Sequence, residues 1–284
     1  MKARAVNAFT LLIAAACAAL ACPPALLAQQ APAHPKQSAA SAGAAKPSQS
    51  SSASSRKARM TPAQRKELYG DIFMARKMFH KAIATYQDLL HEDPDNARLL
   101  NKVGIAYQQL DDWRSAERFY KKAGRADEHF SDPHNNLGTV EFSRKKYKSA
   151  IKQYKKAVEI NPRSAITFSN LGYAYLARKK YNDAILAFRR AILLDPAVFR
   201  DFSRTGSLVE ERGYQSPGLF YFMLAKTYAT LGDARRCAHY LKMSREEGYK
   251  KLKEARTDPA FESVRKDPLV HKILWPPAVA DQRF

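Results

Sequence analysis

The residues that could carry chemistry are few and scattered. His80, His91, His129, His134, His239 and His271 share no ligand spacing such as His-x-x-x-His, and His34 lies in a stretch dominated by Ala, Ser and Pro. A general base needs a partner within hydrogen-bond reach, and no such pairing is suggested. No phosphate-cradling glycine loop, nucleophile elbow or Cys-x-x-Cys pair occurs. Cys17 and Cys22 fall near the start and leave Cys237 alone in the body of the chain. Neither a disulfide framework nor a metal cluster is therefore expected. The expectation is a protein without catalytic residues, cofactor or small-molecule substrate.

What recurs instead is surface chemistry. Arg144-Lys145-Lys146 returns 34 residues later as Arg178-Lys179-Lys180, and Asn136 returns as Asn170. The chain carries a net +21; seven of its 48 Lys and Arg precede Ala63 while all 27 acids follow it, leaving +14 beyond that point. Such a surface favours anionic partners: nucleic acid, phospholipid heads or acidic envelope polymers. Two readings of the basic triplets stay open, a ridge that meets an anionic surface and a solvated face that keeps the chain soluble.

The elements that must position these residues announce themselves by the same step of 34. Gly70, Gly104, Gly138 and Gly172 stand in register, as do Ala82, Ala116, Ala150 and Ala184. Tyr86, Tyr120, Tyr154 and Phe188 follow, and Pro94, Pro162 and Pro196 close three of the units. Small residues permit two helices to approach, the aromatic residues fill the space toward the next unit, and proline ends the second helix. A pair of this kind buries only part of its apolar face, so it must stack on neighbours.

These units resemble the tetratricopeptide repeat. Phe168-x2-Leu171-Gly172-x2-Tyr175, then Ala184-x3-Phe188 and Pro196, follow the pattern of that family with Phe in place of the first Trp. The resemblance implies an all-α, right-handed solenoid: four repeats over 63–198, an insertion loop at 199–217, a degenerate fifth repeat at 218–251 and a helical cap at 252–284. Within the cap, Phe261, Val264, Leu269 and Ile273 would cover the end of the stack. The resemblance also implies that the first helices line a concave groove for a protein or peptide partner. Carried onto this chain, the groove residues are Arg98, Asn101, Asn135, Asn136, Phe142, Asn170 and Tyr173. The asparagines can offer donors and acceptors to a peptide backbone, and they can equally support packing between helices.

The flanks suggest export. Lys2 and Arg4, the apolar run Ala8 to Leu20 and small residues after it have the layout of a signal peptide over 1–28. Ala19-Leu20-Ala21-Cys22 partly resembles a lipoprotein box, so lipid attachment at Cys22 is the second reading. Residues 29–62, rich in Ala, Ser, Pro and Lys, have almost nothing large to bury and read as a disordered linker. The expected location is periplasmic or extracellular.

Overall fold

The computed structural model describes residues 60–199 and 216–276. The chain divides into two units, Met1–Thr61 and Pro62–Phe284, and every described helix belongs to the second. The proposed signal peptide, Cys22, nearly all of the linker and most of the insertion lie outside the described residues.

The helices come in pairs: α1 Pro62–Ala75 with α2 Phe79–Glu92, α3 Ala97–Gln109 with α4 Trp113–Ala126, and α5 Asp132–Ser143 with α6 Tyr147–Ile160. Then follow α7 Ala165–Ala177 with α8 Tyr181–Leu194, and α9 Pro217–Thr230 with α10 Ala234–Glu246. Each helix packs chiefly on its partner and on the next in line, which makes an all-α solenoid. None of the described helices is long and apolar enough to cross a membrane.

The residues in register explain the pairing. Ala82, Ala116, Ala150 and Ala184 are fully buried, and so is Cys237 at the matching place in the fifth pair. The rings of Tyr86, Tyr120, Tyr154 and Phe188 lie directly across the glycines of their first helices. A Cβ on Gly104 would stand 2.6 Å from Tyr120 Cε1, and one on Gly138 would stand 2.5 Å from Tyr154 Cε1. Carbon atoms in contact need about 3.5 Å, so no larger residue fits without moving the ring. Burying each ring contributes about 2–3 kcal/mol.

Every pair turns in the same way. In the third, the Lys145 amide donates to Phe142 O at 2.8 Å and the Lys146 amide to Glu141 O at 2.8 Å. This is a Schellman ending, which needs a left-handed residue just past the helix. That residue is Lys77, Asp111, Lys145 or Lys179 in the first four pairs, with φ of 57 to 60°, and Gly232 in the fifth. Second and later first helices are started by side-chain caps where the sequence supplies them. Asn96 accepts from Leu99 N at 3.1 Å, and Asp112 from Ser115 N at 3.0 Å.

After α10 the chain makes two 3-10 turns, Leu252–Arg256 and Pro259–Phe261, and a short helix α11, Pro268–Leu274. Asp258 and Asp267 cap the last two, each followed by proline in the first turn. Phe261 and Val264 are buried as expected, but Leu269 is 53% exposed. Ile273 packs partly buried against the core as expected, and Val270 and Leu274 beside it are the fully buried residues of α11.

Candidate functional site

The first helices meet one another directly along one face, and polar rungs join them. Lys102 Nζ on α3 donates to Glu67 Oε1 on α1 at 2.7 Å. Asn136 Nδ2 on α5 donates to Asn101 Oδ1 on α3 at 3.0 Å, and Asn170 Nδ2 on α7 donates to Asn135 Oδ1 on α5 at 3.0 Å. All three rungs link residues 35 apart, one repeat plus one residue. Asn135 Nδ2 also reaches Asn136 Oδ1 at 3.4 Å, which joins two rungs into a continuous amide chain from α3 to α7.

Next to the rungs, the hydroxyls of the buried tyrosine rings bond to side chains of the first helices. Tyr86 donates to Asp71 Oδ1 at 2.6 Å, Tyr120 donates to Gln108 Oε1 at 2.8 Å, and the Tyr154 hydroxyl lies 3.2 Å from Thr139 Oγ1. At the first rung Lys102 also contacts both Asp71 oxygens, at 2.7 and 2.8 Å. Burial alone would lower the pKa of Lys102, but its contacts with Asp71 and Glu67 outweigh that and hold it above its ordinary value. The ammonium stays charged and locks the first repeat to the second.

The expected groove residues separate into three kinds. Arg98 is exposed and Asn135 and Asn136 are half-buried, so all three can meet a ligand. Asn101 and Asn170 are buried, only 6% and 8% exposed, and both side chains take part in rungs. Phe142 and Tyr173 must be corrected, since both belong to the core. Phe142 packs its ring 5.2 Å from Tyr147, while Tyr173 stacks at 5.0 Å on Phe220 of α9 and meets Phe188 edge-on. The next pair of helices covers the place where Tyr173 was expected to face solvent. Gln108 and Thr139 lie at first-helix positions that the repeat register assigns to the groove, whereas Lys102 had not been expected on this face. The offset of 35 would have found Lys102, because it stands to Glu67 as Asn136 stands to Asn101.

The basic triplets sit at the turns. Arg144 and Arg178 are the C-caps of α5 and α7, Lys145 and Lys179 are the left-handed residues, and Lys146 and Lys180 precede α6 and α8. All six are exposed. Positive charge there complements the carbonyl ends of α5 and α7. Arg144 pairs with Glu117 at 2.8 Å, and Lys146 lies 3.8 Å from Glu141. Lys145, Arg178 and Lys179 have no acidic partner among the described residues.

Among the described residues no group of three or more His, Cys, Asp or Glu could hold a metal ion. Burial, helped by Asp233 and Asp267, pushes the Cys237 thiol up to about 12, so it is protonated and unreactive at neutral pH.

A solenoid of repeated helix pairs with a polar first-helix face defines the class of protein. Family models agree: one described as TPR repeat matches residues 138–177, and two described as tetratricopeptide repeat match 165–197 and 68–96. The chain is a tetratricopeptide-repeat protein. Among solved structures it is similar to MamA, with 24% identity over 69% of this chain and 99% of that one and a TM-score of 0.46. It is also similar to YrrB, described as a TPR protein with an unusual peptide-binding site (18% identity, 67% and 89% covered, TM-score 0.45). A third is the Sgt2 TPR domain from Aspergillus fumigatus, with 26% identity, 43% and 83% covered and a TM-score of 0.40. Comparison with curated proteins gave no match.

Proposed function

We propose that the protein is a non-enzymatic scaffold, working outside the cytoplasm, whose first-helix face holds an extended segment of a peptide or protein partner. The observation that supports this most is the line of half-buried donors and acceptors across that face. Lys102, Gln108, Asn135, Asn136 and Thr139 stand on consecutive rigid helices, held in place by rungs and tyrosine hydroxyls. A peptide backbone offers alternating donors and acceptors, and groups fixed beforehand lose little entropy on binding it. Arg98 and Asp132 flank the line as exposed charges that select the partner's sequence.

The export part rests on Lys2, Arg4 and the apolar run Ala8 to Leu20. The mass of the mature chain reports it directly: a start at Gln29, or a lipid-modified Cys22, supports export, and an intact Met1 in the functional protein removes it.

The binding test is retention from an envelope extract on immobilised protein, at low and high salt, with wild type beside Arg98→Glu/Gln108→Glu. Discrete proteins that survive high salt on wild type and fall at least tenfold on the variant are expected. An identical retained set on both would mean that this face is not the binding site.

A further inference from the structure

The opposite side of the molecule carries a second surface, built by the second helices. Two depressions lie there. One, of about 580 Å³, is lined by Lys145, Lys146, Lys148, Lys152 and Arg178 with Tyr147 and Ser149. The other, of about 530 Å³, is lined by Arg114, Arg118, Lys121, Lys122, Arg125 and Arg144 with Glu117.

These are one site repeated. Arg114, Arg118 and Arg144 of one become Lys148, Lys152 and Arg178 of the other, each 34 residues on. Glu117 becomes Ile151, so the larger depression is lined by no carboxylate, while in the smaller one Glu117 is already bound by Lys121 and Arg144.

A third step of 34 carries the same face onto α8, and there its character changes. Arg118 and Lys152 give way to Leu186, and Arg125 and Glu159 give way to Leu193. These leucines are 62% and 59% exposed. The cations nonetheless continue, since Lys121 and Lys155 are followed by Arg189, also exposed. The acids nearby are occupied or outnumbered: Asp183 lies 3.9 Å from Lys180, and Glu159 shares α6 with Lys152, Lys155 and Lys156.

We propose that this face of α4, α6 and α8 docks on an anionic phospholipid bilayer, with headgroup phosphates in the two basic depressions and Leu186 and Leu193 entering the interface. A soluble polyanion would use the cations and gives no reason for two leucines on the surface next to them. A bilayer uses both, since apolar side chains at the interface and cations near anionic heads reinforce one another. The attraction is screened by salt, which the leucines only partly offset. The first-helix face would stay open to a partner while the protein is docked.

Lysine acetylation read by mass spectrometry on the full chain tests this, with vesicles of phosphatidylcholine alone or mixed with phosphatidylglycerol. Lys148 and Lys152 should lose reactivity several-fold with the mixed vesicles only, while Lys253 and Lys266 should not change. Leu186→Ser/Leu193→Ser should abolish that protection without unfolding the chain, as checked by circular dichroism. Attachment through residues 1–28 would leave Lys148 and Lys152 as reactive as Lys253 and would overturn the proposal. Protection equally strong with soluble polyphosphate or DNA, and indifferent to the leucine variant, would overturn it in favour of a polyanion. Arg98→Glu/Gln108→Glu should dock normally, so the failure of one face is distinguishable from the failure of the other.

Discussion

Lys145 and Lys179 each occupy the middle of a basic triplet, yet their backbone is the more constrained part of them. Both have φ of 60°, a conformation in which a Cβ crowds the following carbonyl at a cost of about 1–2 kcal/mol. The fifth pair solves the same turn with Gly232, at φ 73°. Glycine avoids the crowding but loses more entropy on folding, by roughly 0.5–1 kcal/mol. Lys179→Gly should therefore raise stability by roughly 0.5–1 kcal/mol, read as a higher urea midpoint at unchanged slope. A lower midpoint would mean that the charge of Lys179 at the end of α7 stabilises more than its backbone conformation costs. The triplets show how one residue serves two ends: the sequence pattern reveals charge, while the turn reveals why a residue is needed there at all.

At the scale of the elements, the helix pairs were legible because their causes are local and repeated. Glycine, alanine and aromatic residues every 34 positions mark where two helices touch, and Asp-Pro marks the helix starts in the cap. The polar face was less legible. A groove amide and a packing amide are the same residue at the same position, and only the offset of 35 shows that Asn101 and Asn136 answer one another. Tyr173 and Phe142 were misplaced for a related reason: an aromatic on a first helix faces solvent or core depending on how far the next pair leans over it. The rung itself is testable. Asn136→Ala leaves Asn101 Oδ1, on a residue only 6% exposed, without the partner it has at 3.0 Å. The expected loss is about 1–2 kcal/mol. Removing both amides should cost less than the sum of the single changes, because the second deletion relieves the orphan created by the first. Strictly additive urea unfolding energies would show that the two side chains do not depend on each other.

Across the whole molecule, the core is unevenly shared. A single apolar cluster runs from Phe142 to Leu274, whereas two smaller clusters join the first pair to the second and the second to the start of the third. The larger cluster also holds most of the groups that cannot ionise in place. Burial raises the pKa of Tyr221 and Tyr228, raises that of Tyr240 further, and pushes Tyr249 and Cys237 each up to about 12. In the unfolded chain a thiol ionises near about pH 8.5 and a phenol near about 10. Above those values the unfolded state sheds protons that the folded state retains, so it binds fewer of them and stability must fall as pH rises. Stability from these groups is complete below about pH 8.5 and is lost progressively toward pH 12, the range set by those unfolded values and the raised folded ones. Urea midpoints should hold level on the neutral side and decline through that window, with the phenolate absorbance of these buried tyrosines appearing together with unfolding rather than before it. Cys237→Ala should delay the onset, since the thiol has the lowest unfolded pKa of the set. Phenolate formed by these tyrosines ahead of any loss of helix would mean that the fifth pair admits water, and the last third of the core would then be less closed than its burial implies.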